Sequence, residues 1–219
     1  VIFDPQFAWS LLPELGRGLV VTVQATLGGM GLALTLGLAA ALARRSRRRW
    51  IAWPVGLAVE FVRSTPLLVQ LYFLFYVLPS TGVQFSAFTT GVLALGVHYA
   101  AYCAEVYRAG LEAVPRGQWE AATALNLTRW QTYRRVVLPQ AIPPVVPALG
   151  NYLVAMFKDT PLLSAITVLE LLQRAKVIGA ETFRYVEPLT LVGLLFLAVS
   201  LVAAAGVRAL ETRLRLQTV

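Results

Sequence analysis

V-P-R-G-Q-W-E-A-A-T-A-L-N-L-T-R-W-Q-T-Y-R-R-V-V-L-P, residues Val114 to Pro139, is the only long polar insert between two apolar runs too long for a soluble core. Pro115 suits the first turn of a helix, where no amide donor is lost. Gln118 to Leu125 reads as a short helix with Ala121 and Ala122 beside Glu120. Asn126 is a good residue for a left-handed helix stop. Thr128 opens the next helix, and Gln131 completes a capping-box pattern with it. The stretch predicts two short helices around a sharp corner, with Leu138-Pro139 at the mouth of the next apolar run. A rigid, basic unit so placed reads as a docking element. One plainer reading is an interfacial amphipathic helix without a partner. Another is a DNA-reading helix-turn-helix, which A-x-x-L-N-L-T superficially resembles. The flanking runs weigh against DNA, because they tie both ends of the unit to a bilayer.

Composition supports the bilayer. The chain has 219 residues, 58% hydrophobic and 14% charged, with a mean hydropathy of +0.67. A soluble domain carries about 25% charged residues. The length fits a single domain, here 1–219. Net charge is +8, but the basic residues cluster at the ends of apolar runs, as topology signals do, so nucleic acid is not implied. Cys103 stands alone, so no intrachain disulfide forms, and it reads as a small buried side chain. His98, the single histidine, has no ligand-spaced partner, so no metal is expected. Lys158 and Lys176 are followed by Asp and Val, so neither completes a nucleotide-binding Walker loop. H-E-x-x-H and G-x-S-x-G are also missing, so an enzyme is the least supported class. The acidic start and long first apolar run argue against a cleavable signal peptide.

Val1 to Leu15, with Phe7, Trp9, Leu11 and Leu12, reads as an interfacial segment. The first span is Gly18 to Ala43, thinned by Gly28, Gly29, Gly31 and Gly37 for close helix contact. Arg44, Arg45, Arg47, Arg48 and Arg49 follow, read as a cytoplasmic topology stop that leaves the N-terminus outside. The second span, about Trp50 to Leu78, holds Glu60 and Arg63 on one face and then Ser64-Thr65-Pro66. Ionisable residues beside a broken helix mark either a transport path or an internal ion pair joining spans, and both readings stand. After the turn Pro79 to Gly82, a third span runs from Ser86 to Val106 and continues as a polar helix to Glu112. The fourth, about Val136 to Phe157, contains Pro139, Pro143, Pro144 and Pro147, the deeper of which should kink it. Asn151 and Tyr152 are its polar interior members, and Lys158-Asp159-Thr160-Pro161 ends it outside. Leu162 to Arg184 reads as a short re-entrant or surface helix. The fifth span is Pro188 to Val207, with Arg208, Arg213 and Arg215 placing the C-terminus inside. The expectation is an all-α integral membrane protein of five transmembrane helices, N-out and C-in. An odd number of spans with no internal repeat fits a subunit that meets a copy, or near-copy, across a two-fold axis.

Glu120, Ala121, Ala122, Leu138 and Pro139 match the EAA loop of ABC importer permeases, with Asn126 where that family usually has glycine. Asn tolerates the left-handed conformation, so the departure is mild. Glu60 to Gln70 (E-F-V-R-S-T-P-L-L-V-Q) resembles the second span of polar amino-acid permeases. Tyr102 to Pro115 and Lys158 to Glu170 extend that likeness over nearly the whole chain. Leu68 to Pro79 and Leu138 to Leu153 look most like an ectoine/hydroxyectoine permease subunit.

The resemblance implies a type I ABC importer permease fold in a bacterial plasma (inner) membrane, surrounded by lipid. Its loop, 114–139, would sit in a groove on a cytoplasmic ATP-binding subunit and couple to it through Glu120, Ala121, Ala122, Asn126, Leu138 and Pro139. Further implied partners are a second permease, identical or not, and an extracytoplasmic solute-binding protein. No cofactor and no nucleic acid are implied. A zwitterionic solute needs both signs of charge along its path. The expected path residues are Glu60, Arg63, Thr65, Gln70, Asn151, Lys158, Asp159 and Thr160. The competing class is a secondary transporter or channel subunit driven by an ion gradient, with Glu60 as a proton site.

Overall fold

Asp4 starts the first helix. Its carboxylate accepts from the amides of Gln6 and Phe7 at 3.0 and 3.1 Å, and Pro5 takes the first helical position. The Phe7 amide, backed by that of Gln6 and by the Arg184 guanidinium, holds the Asp4 carboxyl below its usual range. In this computed structural model, which describes residues 3–216, the helix then runs without a break (α1, Pro5–Arg44). Its 40 residues extend about 60 Å, roughly twice the hydrocarbon core of a bilayer. The residues before Gly18 are thus the first turns of α1, not a separate surface piece. Leu11 and Leu15 hold them in place by burying against Leu171, Ala175, Ile178 and Val192. Val1, Ile2 and the Arg215 side chain, on which part of the sequence reading rests, lie outside the described residues.

The long helix α4 (Ala87–Glu112), capped by the Ser86 hydroxyl, runs beside α1 in the same direction. Gly28 meets Val92, Gly29 meets Leu95, and Gly37 meets Cys103. A Cβ at Gly37 would lie 2.7 Å from the Cys103 Cβ and 2.9 Å from the Ala100 carbonyl oxygen. Three of the glycines singled out in the sequence therefore serve close packing, while Gly31 faces open space. Cys103 is fully buried at this contact. The helix α7 (Leu138–Asp159) runs the other way, with Val145 against Gly110 and, just past its end, Leu163 against Gly91. It continues through Pro143, Pro144 and Pro147; the register widens just before them, in a π-helical turn at Tyr133–Val137. The last helix, α9 (Val186–Leu216), returns along α7, with Val207 at Gly150 and Phe196 at Phe157.

The second apolar run departs from a straight crossing. It forms α2 (Arg49–Ser64) and α3 (Leu67–Tyr72), which meet at a 105° bend, then a π turn at Phe73–Val77 and a tight turn at Leu78–Thr81. Pro66 forces the break: it has no amide to donate and disfavours helix at Thr65, which is extended at φ −108°, ψ 138°. Leu67 and Leu71 then anchor α3 in the main core with Leu95, Met156 and Ile166. After α7, a 3-10 turn at Thr160–Ile166 leads to α8 (Leu171–Thr182). Its 12 residues, about 18 Å, are too short to cross, in keeping with the re-entrant or surface reading.

Among the described residues, α1, α4 and α9 are each long and apolar enough to cross a membrane, and counting each bent pair as one span gives up to 5. The helix directions sort the connections into two ends. The arginine turn after α1, the end of α4 and the 114–139 corner share one end. Asp4, Ser86, Asp159 and the start of α9 share the other.

Candidate functional site: a rigid corner and a broken helix

The corner consists of α5 (Arg116–Ala124), then α6 (Arg129–Thr132), which runs through the π turn into α7. Pro115 sits one position outside α5, as its cap. Asn126 takes the left-handed conformation at φ 53°. The Leu127 amide donates to the Ala122 carbonyl at 3.1 Å and the Asn126 amide to that of Thr123 at 2.9 Å, which closes α5. The capping box is present: the Gln131 amide donates to the Thr128 hydroxyl at 3.3 Å, and the Thr128 amide to Gln131 Oε1 at 2.9 Å.

A small apolar cluster fixes this corner to the bundle. Val114, Val137 and Ala141 are buried, with Leu111, Trp119 and Tyr133 around them. The rings of Trp119 and Tyr133 meet edge to face at 5.4 Å. Ala122 points inward at 2% exposure, whereas Glu120, Ala121 and Pro139 are exposed. Leu125 and Trp130 stand 73% and 69% exposed, and Leu138 is 38% exposed. The corner is thus clamped at its base and offers an apolar knob with one carboxylate, flanked by exposed Arg116, Arg129, Arg134 and Arg135. The E-A-A residues divide by role: Glu120 and Ala121 face outward, and Ala122 holds the turn.

The broken helix gathers some of the other candidate residues. Gln70 Nε2 donates to the carbonyls of Val62 at 2.8 Å and Thr65 at 3.1 Å, and lies 2.7 Å from the Thr65 hydroxyl. These acceptors are freed where α2 ends; that of Val62 also takes the Thr65 hydroxyl at 3.2 Å, and that of Thr65 has Gln70 as its donor. Carbonyl oxygens only accept, so Nε2 is fixed as the donor side of Gln70, and its Oε1 is left to accept from His98 Nδ1 at 3.2 Å. Thr65 and Gln70 therefore hold the bend itself together.

Arg63 pairs with Glu60 at 3.4 Å, as the spacing predicts, and also reaches Glu105 on α4 at 3.8 Å. Glu105 is shared with Arg44 of α1 and with Arg108, so one carboxylate ties α1, α2 and α4. The Arg63 guanidinium lies 5.6 Å from the Tyr102 ring centre. Tyr102 belongs to an aromatic group with His98, Tyr99 and Tyr152, whose far side is Asp159, accepting from the Tyr99 hydroxyl at 2.7 Å. Asn151 and Lys158 are exposed and join none of this, and buried Thr160 donates to the Phe157 carbonyl at 2.7 Å. Lys158 and Asp159 form no ion pair among the described residues. Of this group the sequence named Tyr152 as a polar interior residue but not Glu105, Tyr99 or Tyr102, nor His98 as part of a site; their signal is a polar and aromatic stripe at helical spacing on α4, at positions 98, 102 and 105.

Residues 33–216 match the family described as binding-protein-dependent transport system inner membrane component. The chain is 51% identical to a probable amino-acid ABC transporter permease protein, y4tG, of Sinorhizobium fredii, over 95% of this chain and 90% of that one. It is 35% identical to the glutamine transport system permease protein GlnP of Escherichia coli, over 98% and 99% of the two chains. In structure it resembles an amino acid ABC transporter crystallised with histidines, with a TM-score of 0.93 and 34% identity over 97% of this chain and 100% of that one. These relatives are ABC permeases, which leaves the gradient-driven reading unfavoured.

Proposed function

This chain belongs to the family of binding-protein-dependent transport system inner membrane components, and from that premise we propose how it carries solute and how it is driven. It is a permease subunit of an amino-acid ABC importer, a multi-pass inner-membrane protein that is not itself the ATPase. In our reading the whole chain is one permease domain, N-out and C-in, with five crossing legs, the second made by α3 and the turns after it, entered from α2. It forms half of a path completed by a second permease across a two-fold axis. The family implies an ATP-binding subunit and a solute-binding protein as partners.

The observation that carries the coupling proposal is the clamped corner with its outward Glu120, Ala121, Leu125 and Trp130. A base locked by Val114, Val137 and Ala141 transmits a push to α4 and α7 instead of absorbing it. The ATP-binding subunit grips this corner, with Asn126 setting its angle and Leu138 and Pro139 passing the motion into α7. Replacing Ala121 by tryptophan leaves insertion and folding intact but lowers solute uptake per ATP hydrolysed at least tenfold in a reconstituted importer. Wild-type coupling in that variant removes the assignment.

The solute is a polar amino acid or a related zwitterion, with ectoine or hydroxyectoine as the narrower candidate. Arg63 supports this, because its buried Nε is a donor with no hydrogen-bond partner among the described residues, one that a carboxylate would satisfy. Glu60 and Asp159 supply the opposite sign, and Asn151, Lys158 and Thr160 lie further along the same helix and turn. Thr65 and Gln70 shape the elbow beside that path. Screening candidate amino acids and ectoine for stimulation of hydrolysis in the reconstituted system identifies the class. Stimulation by none of the zwitterions contradicts it.

A further inference from the structure

The outer face of α2 and the arginines before the helix are left unexplained by coupling and by transport. Trp50, Trp53, Leu57 and Phe61 form one stripe along α2, exposed at 70%, 70%, 51% and 70%, while Val59 is the one residue of the helix that is buried. Exposed apolar stripes occur elsewhere on this protein, and the depth of this one sets it apart. α3 follows α4: Gln70 meets His98, and further on Tyr76 reaches the Ala165 carbonyl, beside the Leu163 that meets Gly91. Since α2 departs from α3 by 105°, it lies nearly across the bundle axis. Its middle and its end stay at one level. Gly56 faces Arg44, Arg63 reaches Glu105, and Arg44 and Glu105 are themselves paired. A helix lying across the end of a membrane bundle, with two tryptophans on its outer face, is oriented as an interfacial helix is.

Charge identifies the occupant. Arg45, Arg47, Arg48 and Arg49 are all exposed, and none has an ion-pair partner among the described residues. Arg44, the remaining member of the run, is the one engaged by Glu105. Arg48 lies over the Trp50 ring at 5.9 Å, so the cationic run and the aromatic stripe meet at the start of α2. A topology signal needs only positive charge near a span end. Four free guanidiniums beside a tryptophan-bearing helix at interface depth form a recognition surface for phosphate groups held over acyl chains. We propose that α2 with the Arg45–Arg49 turn is a binding surface for anionic phospholipid. In it the arginines take the headgroup phosphate and the Trp50–Phe61 stripe takes the adjoining chains.

The test uses the permease purified with the subunits that accompany it and placed in vesicles of phosphatidylcholine mixed with phosphatidylglycerol. A nitroxide on Leu57→Cys reports depth, through its collisions with oxygen and with a water-soluble nickel chelate. Energy transfer from tryptophan to dansyl-phosphatidylglycerol or dansyl-phosphatidylcholine reports lipid preference. The expected results are a label at headgroup depth and stronger transfer to the anionic lipid. Arg47→Gln with Arg48→Gln, which keeps Arg45 and Arg49 as topology signals, should lower that preference by up to about fivefold per arginine. Trp50→Phe with Trp53→Phe should lower the transfer signal specifically. Equal transfer to the two lipids overturns the proposal. So does a preference unchanged in the arginine variant, or a label reached freely by the nickel chelate. Shielding of the label from both oxygen and nickel shows a protein occupant and also overturns it. Displacement of the dansyl lipid by inorganic phosphate beyond that caused by chloride of equal ionic strength means a free-anion site, again against it.

Discussion

Replacing Gln70 with leucine tests whether the elbow depends on one side chain. Leucine keeps most of the volume but removes the amide. The Thr65 carbonyl loses its donor and His98 Nδ1–H its acceptor, while the Val62 carbonyl keeps the Thr65 hydroxyl at 3.2 Å. An unsatisfied buried polar group costs about 1–3 kcal/mol. Gln70 is only half-buried, so the low end applies, and the two groups give about 2 kcal/mol. For a chain of this size, about 2–4 °C per kcal/mol turns this into a fall in Tm of about 4–8 °C. Thermal unfolding of the detergent-purified protein, followed by tryptophan fluorescence, reads it directly. His98→Leu in the Gln70→Leu background should add less than it costs alone, because the two side chains share one bond. A Tm within about 1 °C of wild type, at normal expression, would refute the claim that Gln70 stitches the broken helix.

Two further outcomes follow from the packing. Gly37→Val puts methyl groups where even a Cβ would lie 2.7 Å from Cys103, and should cost about 1–3 kcal/mol or more, whereas Gly31→Val, facing open space, should leave Tm unchanged. Asn126→Gly should preserve both stability and coupling, while Asn126→Val, forced to φ 53°, should lose about 1–2 kcal/mol and loosen the corner; Tm together with the transport-to-hydrolysis ratio checks both.

The corner was legible because its signals are local. A left-handed stop at Asn126 and a Thr128–Gln131 capping box depend on neighbours within four residues, and both are present. The apolar lengths located α1, α4, α7 and α9, because a bilayer imposes its thickness on any sequence. The elbow was half legible. Pro66 marks a break, but nothing local says that the pieces turn through 105° instead of a modest kink. That angle rests on Gln70 meeting His98 and on Leu71 entering the core, contacts between positions far apart in sequence. For the same reason Thr65 and Gln70, read as path residues, serve the bend. Glu105 drew no notice as the shared partner of Arg44, Arg63 and Arg108. The inward turn of Ala122 against the outward turn of Ala121 depends on how α5 rolls against Tyr133 and Val137, which no spacing rule fixes.

Incorporating a photo-crosslinking phenylalanine analogue at Ala121, and separately at Leu125, in membranes that contain the ATP-binding subunit probes the grip itself. The corner as described predicts crosslinks from both positions to that subunit, stronger or weaker as nucleotide is changed. Crosslinks from these positions to lipid or to the solute-binding protein alone would contradict it.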